Sequence, residues 1–348
     1  MATIRDVANR AQVSNSTVSN VLNGRTSRMT SETLARVQQA MAELGYNPSF
    51  AARSLKTGQS ALLGLLVPST ANPWFGEIAA RIEQVARDKY DCHILLGNTQ
   101  RDVQSEARFI GSLQSFGVRG LIVMSALADE SHLLNAARQG MAVVSYDRRA
   151  AGGVAPIIDH VTVDNHKAGT LAALHLVAKG HTRLAFVSAF GRTVNRVERI
   201  SGFLEAASAH GAETVVVEAD SSHGFADDQW AALGSELAGK LLREHPDVTG
   251  IVTVNGTLAI SLTSALRDRG FEVPRDFSVV GIDDMPLSTM VSPAMTSIRI
   301  PTGVIAESMV DRVMARCASN DLPPGETVFE PTLIERRSVA APRAHSLP

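Results

Sequence analysis

From residue 61 onward, short and nearly continuous apolar runs alternate with segments whose apolar residues recur every three or four positions. The runs are 61–67 (ALLGLLV), 92–96 (CHILL), 118–124 (VRGLIVM), 141–146 (MAVVSY), 183–188 (RLAFVS), 214–219 (TVVVEA), 249–254 (TGIVTV) and 277–282 (FSVVGI). Such runs, bounded by glycine, proline or charged turns, predict strands buried on both faces. The intervening segments 76–89, 103–115, 165–179, 196–210 and 256–269 predict crossover helices. The alternation predicts a doubly wound parallel α/β lobe, built twice. Two such lobes facing each other leave a cleft at the carboxyl ends of their strands, where ligands bind.

The first sixty residues follow a different pattern. Thr3 and Asp6 have the spacing of a capping box, with Ile4, Val7, Ala8 and Ala11 on one helical face. After Gln12 and Val13, Ser14 can cap a second helix with Thr17 at its N3 position and Val18, Val21 and Leu22 as its apolar stripe. Asn15, Ser16, Ser19 and Asn20 form its polar face. Two short helices joined this tightly form a helix-turn-helix, whose second helix can enter the DNA major groove. A small helical hairpin with a solvated polar face satisfies the same caps. A loop with Arg25 and Arg28 leads to a third helix capped by Thr30 or Ser31, with Leu34, Val37, Met41 and Leu44 inward and Gly45 at its end. Beyond Pro48, residues 49–56 (SFAARSLK) make a mini-helix too short to be stable alone.

Charge adds to this picture. Residues 1–60 carry seven Lys and Arg against three Asp and Glu, a net of +4, so the chain total of -2 leaves -6 for the remainder. A basic head on an acidic body suits a head that meets a polyanion. The 348 residues, 45% hydrophobic and 20% charged, exceed one core and are ordinary for a globular chain. Cys92 and Cys317 lack metal or disulfide spacing, and no export signal or membrane-spanning run is present, so a cytoplasmic protein without cofactor or metal is expected.

The segments ATIRDVANRAQVSNSTVSNVLNG and YNPSFAARSLK resemble the headpiece and hinge of the lactose and purine repressor (LacI-type) family. WFGEI, DNHKAG, RVERISGF, FSVVGIDD, PAMTSIRI and LIERRS resemble its periplasmic-binding-protein-like core. The implied fold is an all-α helix-turn-helix headpiece plus a two-lobed α/β core. The headpiece would span 1–47, the hinge helix and linker 48–60, the core 61–340 and a tail 341–348. By the resemblance, lobe one takes about 61–162 plus 293–322, and lobe two about 163–292 plus 323–340.

The resemblance also implies roles. Leu55, flanked by Ala52 and Lys56, would wedge into the minor groove of a pseudo-palindromic operator when two hinge helices pair in a homodimer. The tail has no heptads, which favours a dimer over a tetramer. Asn15, Ser16 and Asn20 would read bases, with the Asn20 amide suited to adenine, and Ser14, Thr17, Ser19, Asn23 and Arg25 would complete the DNA contact. The small-molecule effector, a sugar, sugar acid or related metabolite, would meet Trp74, Phe75, Ser125, Asp147, Asp164, Asn195, Arg199, Asn255 and Asp283. Of these, Arg199 offers a fork of donors and Asp283 an acceptor. Loop aspartates such as Asp147 and Asp164 also serve as helix caps. Gly256 stands where most members of the family carry aspartate. That loss of an acceptor, with Arg192, Arg196 and Arg199 near one strand end, tilts the pocket toward an acidic ligand, although Arg196 itself reads more readily as helix surface.

Enzymatic readings lack a constellation. GxSxG, HExxH, GxGxxG and a complete phosphate loop are absent, and GSELAGKL at 234–241 lacks the hydroxyl of a phosphate loop. A sugar-metabolising enzyme would explain the cleft but not the basic head, and an α/β metabolite-binding protein would explain residues 61–340 but would normally carry an export signal, which is not seen.

Overall fold

The computed structural model describes residues 2–22, 25–27, 29–46, 62–149, 156–191, 193–220, 229–319 and 321–342. Asn23, Arg28, the hinge segment with Ala52, Leu55 and Lys56, Arg192 and the last six residues lie outside them. The chain divides into two compact units, Met1–Ala61 and Leu62–Pro348.

The first unit contains α1 (Ile4–Ala11), α2 (Asn15–Leu22) and α3 (Ser31–Glu43). The Thr3 hydroxyl accepts from the Asp6 backbone N–H at 3.3 Å while the Asp6 carboxylate accepts from the Thr3 N–H at 2.8 Å, closing the expected capping box. These bonds hold the Asp6 carboxyl below its usual range. Gln12 adopts the left-handed φ of 53° that ends α1 and turns the chain into α2. Val7, Ala8, Ala11, Val18, Val37 and Ala40 form the core, with Tyr46 packed against it. Leu44, expected inward, is 37% exposed, because α3 ends at that residue and Tyr46 covers the core instead.

The second unit begins with β1 (Leu62–Val67), α4 (Pro73–Tyr90), β2 (His93–Asn98), α5 (Val103–Ser115), β3 (Gly120–Val123), α6 (Ser131–Arg138), β4 (Ala142–Tyr146) and β5 (Asp159–Val163). It continues with α7 (Asn165–Ala178), β6 (Arg183–Ser188), α8 (Val194–Ala209), β7 (Glu213–Glu218), α9 (Trp230–Glu244), β8 (Gly250–Thr253), α10 (Gly256–Asp268) and β9 (Ser278–Asp283). It closes with α11 (Leu287–Met290), β10 (Thr296–Arg299), α12 (Thr302–Ala318), β11 (Glu326–Phe329) and β12 (Thr332–Ile334). All eight apolar runs become strands, and the five predicted crossover segments become helices.

The strands form two six-stranded sheets, ordered β11-β5-β4-β3-β1-β2 and β12-β10-β9-β8-β6-β7. Every pairing is parallel except β10 with β12, which places an antiparallel edge on the second sheet. Adjacent residues serve opposite faces: Leu65 and Ile122 enter one core while Leu66 and Val123 enter another across the same sheet.

The chain passes between the sheets after β5, after β10 and after β11. This corrects the expected lobe boundaries. β10 belongs to the second sheet, pairing Thr296 with Val280, and β11 belongs to the first, pairing Glu326 with His160. The resemblance implied crossings near residues 293 and 322, but ladder pairing puts them after Arg299 and after Phe329.

Helices α7 and α8 lie together through two glycines. A Cβ on Gly169 would fall 2.0 Å from the Arg199 carbonyl oxygen, and one on Gly202 would fall 1.9 Å from that of His166. These glycines of DNHKAG and RVERISGF let the two backbones touch, which brings the first turn of α7 against Arg199. Burial pushes the thiols of Cys92 and Cys317 up to about 12 and about 11.

Candidate functional site

In the first unit, Ser14 caps α2 as its hydroxyl accepts from the Thr17 N–H at 3.2 Å, and it lies 2.7 Å from the Ser16 hydroxyl. Asn15, Ser16 and Asn20 are exposed together with Arg25, and Thr17 is half-buried. Ser19, expected on this polar face, is buried at 9% exposure beside Val18. The surface that remains is one of amides and hydroxyls at the start of a helix, the chemistry that major-groove base edges match.

The second site is a cavity between the two sheets of the core, at the carboxyl ends of their strands. Its empty volume is about 460 Å³ including the open mouth. Trp74, Phe75, Asp147, Asn195, Arg199, Asn255 and Asp283, seven of the nine residues singled out from sequence for an effector, line it. Asn72, Arg101, Met124, Tyr146, Arg196 and Val254 complete the wall.

Each wall residue is set by its element. Asn72 caps α4, accepting from the Trp74 N–H at 3.2 Å, so the first turn of that helix delivers Trp74 and Phe75. The Trp74 ring lies 5.1 Å from that of Phe75, edge to face, and 5.6 Å from that of Tyr146. The Arg101 guanidinium stands 5.8 Å over the Phe75 ring. Asn255 caps α10 by accepting from the Leu258 N–H at 2.8 Å, while its residue remains on the cavity wall.

Charged groups cross the cleft in a connected series. Asp147, at the end of β4 in the first sheet, accepts from Asn165 Nδ2 at 2.7 Å and from Asn195 Nδ2. Asn165 Oδ1 accepts from Arg199 Nε at 2.8 Å, and Arg199 also donates to the Val254 carbonyl at 2.8 Å. Asp283 follows, 3.7 Å from Arg199. Burial pushes its carboxyl up to about 6, against the pull of Arg199 and the Gly256 backbone N–H. Asp147 and Asp283 have φ of 65° and 97°, left-handed values at which non-glycine residues are strained, and such strain gathers at ligand sites.

Three expectations are corrected. Ser125 is buried but not on the cavity wall, since its loop turns so that its carbonyl accepts from Arg101. Asp164 is a helix cap, accepting from the Lys167 N–H at 2.8 Å and facing Arg149 at 3.6 Å. Arg196 is not surface: it is 4% exposed, lines the cavity and donates to the Phe190 and Gly191 carbonyls. Gly256 fits for a local reason as well, because a Cβ there would lie 3.0 Å from the Ile282 carbonyl oxygen. The neighbouring Asp284 is a clamp rather than a wall residue of this cavity, bridging Arg299 at 2.8 Å and Arg336 at 2.5 Å.

Two family models match the chain: bacterial regulatory proteins of the lacI family over residues 3–49, and a periplasmic binding protein-like domain over 173–339. The transcriptional repressor PurR of Mannheimia succiniciproducens is 32% identical over 341 residues, covering 97% of this chain and 99% of its own. The chain belongs to the lacI family of bacterial regulatory proteins. The transcriptional regulator GalR of Salmonella typhimurium is 30% identical over 344 residues, covering 98% of this chain and 97% of its own. A solved structure of the lac repressor dimer, bound to operator and an anti-inducer, overlays with a TM-score of 0.83 at 24% identity and covers 98% and 99% of the two chains. The likeness in fold extends over both the N-terminal helices and the α/β core, and members of the lacI family are DNA-binding transcription regulators. No described helix is long and apolar enough to cross a membrane.

Proposed function

We propose that this chain is a cytoplasmic repressor of metabolic genes that binds a pseudo-palindromic operator as a homodimer and is controlled by a small polar metabolite held in the cavity. The observation that carries the reading is the series Asp147, Asn165, Arg199, Asp283, which joins one lobe to the other and places three of its four members on the cavity wall. A ligand that competes for these groups must change how the lobes meet, and a coupling of about 1–3 kcal/mol suffices for regulation.

Asn15, Ser16 and Asn20 are assigned to base reading, with Ser14, Thr17, Asn23 and Arg25 contacting the backbone. Ser19, being buried, is assigned only a supporting contact. Leu55, with Ala52 and Lys56, is assigned to the minor groove. Trp74, Phe75, Asp147, Asn195, Arg199, Asn255 and Asp283 are assigned to the effector. The cavity binds rather than converts its ligand in this reading.

Selection of binding sites from random DNA by the full chain, followed by a gel shift with and without residues 1–60, tests the assignment. Retention of a preferred sequence only by the full chain supports it. Equal binding of every sequence, or binding undiminished by removal of residues 1–60, overturns it.

A further inference from the structure

The acceptor atoms around the interlobe cavity are already engaged. Both Asp147 oxygens accept amide donors, from Asn165 and Asn195. Asn195 Oδ1 receives the Thr193 hydroxyl and the Arg196 backbone N–H, Asn72 Oδ1 the Trp74 N–H, and Asn255 Oδ1 the Leu258 N–H. Asp283 takes the Gly256 backbone N–H and faces Arg199 at 3.7 Å.

Donors are in the opposite condition. Trp74 Nε1 and the Tyr146 hydroxyl are buried without a partner, on side chains 6% and 1% exposed. The indole N–H can only donate. Burial raises the Tyr146 hydroxyl well above its ordinary range, so it stays protonated and has a proton to give. With ring centroids 5.6 Å apart, the two belong to one patch of wall. A buried donor without an acceptor is a deficit that an occupant can relieve.

Charge favours the same kind of occupant. Arg101, Arg196 and Arg199 line the cavity against Asp147 and Asp283. Glu77 and Glu198 act from just outside, and each is opposed by an arginine: Arg81 lies 3.0 Å from Glu77, and Arg149 counters Glu198. A neutral sugar could accept from the two unpaired donors, but it would bring no charge for the three arginines to meet. A carboxylate only accepts.

We infer that the effector is a small carboxylate-bearing metabolite, whose acid group takes the Trp74 and Tyr146 donors in the field of the three arginines. This rests on the reading of the cavity as the effector site. Matched pairs provide the test: calorimetric titration of the full chain with glucuronate and glucose, galacturonate and galactose, and gluconate and sorbitol, at fixed ionic strength. In at least one pair the acid should bind about 100-fold tighter than its neutral partner, as a charged hydrogen-bonded group allows. Tyr146→Phe keeps the ring and removes only the hydroxyl, so it should weaken that acid about tenfold and the neutral partner little.

Tighter binding by the neutral member, no binding by any acid, or an acid affinity indifferent to Tyr146→Phe would overturn the inference. Operator affinity, followed by fluorescence anisotropy, separates the two levels of the argument. A neutral sugar that binds and shifts operator affinity leaves the regulator reading intact and removes the acid. An acid that binds with the expected preference yet leaves operator affinity unchanged supports the acid and removes the effector role.

Discussion

Asn165 accepts a hydrogen bond from Arg199 Nε at 2.8 Å, and through its amide nitrogen it passes that contact on to Asp147 Oδ1 at 2.7 Å. Asn165 is fully buried and sits where the chain first leaves one sheet for the other. It therefore holds an anion of the first lobe and a cation of the second in fixed register without touching the cavity itself. Asn165→Ala should leave two buried charged groups short of a partner, and a loss of about 2–4 kcal/mol is expected. Urea unfolding measures this directly. Effector affinity should fall with it, and operator affinity should respond less to the effector; unchanged coupling in a folded variant would mean that Asn165 serves only stability.

The closeness of Asn165 to Arg199 depends in turn on Gly169 and Gly202. A methyl group at either would come about 2 Å from the carbonyl oxygen of the facing helix. Backbone cannot move aside as a side-chain end can, so Gly169→Ala and Gly202→Ala should each destabilise by about 2–3 kcal/mol or more, despite alanine's better helix propensity. Because both substitutions push the same pair of helices apart, the double variant should lose less than the sum of the two. Thermal unfolding of the three variants checks both statements.

Much of this was legible before the structure. Apolar runs fixed on both faces gave the strands, since a parallel strand covered by helices needs no polar side, and Thr3, Ser14 and Thr30 marked helix starts through their hydroxyls. Asp147, Arg199 and Asp283 were readable through the resemblance of their segments to the lacI-type core, whereas Ser125 and Asp164, offered by the same resemblance, lie off the cavity wall. Tyr146 was not, because an aromatic at the end of an apolar run looks like core until its hydroxyl is found without a partner. Arg101 was hidden in a turn whose left-handed residues, Gln100 and Arg101, carry no glycine to announce it. The strands that exchange sheets late, β10 and β11, depend on pairing with residues far away in the chain, which local pattern cannot encode.

Asp283 gives the core a pH dependence whose direction follows from its environment. Burial raises its carboxyl from 3.8 to about 6. The folded state thus holds a proton that the unfolded state has lost between roughly pH 4 and 6, and stability must fall as pH rises through that window. Below it both states are protonated and the penalty vanishes; above it the full penalty, on the order of 2–3 kcal/mol, persists. Asp283→Asn should flatten this part of the curve, so that its stability relative to the parent improves from pH 4 to pH 7. Urea titrations at several pH values check the trend, and parallel curves for the two proteins would contradict it.

The proposed DNA contacts of α2 predict two distinguishable kinds of weakening. Asn20 is an exposed amide on α2, able to donate and accept at an adenine edge, whereas Arg25, exposed just beyond that helix, has the charge that a phosphate attracts. Asn20→Ala should cost about 1–3 kcal/mol on the preferred operator and relax selection at one position of each half-site, with the salt dependence unchanged. Arg25→Ala should weaken binding to all sequences alike and reduce the slope of log affinity against log salt by about one for each phosphate no longer neutralised, hence by about two in a dimer. Anisotropy titrations across a salt series, on the selected operator and on scrambled DNA, separate these outcomes: a uniform weakening for Asn20→Ala would make that amide a backbone contact, and a sequence-dependent weakening for Arg25→Ala would make that guanidinium a base reader.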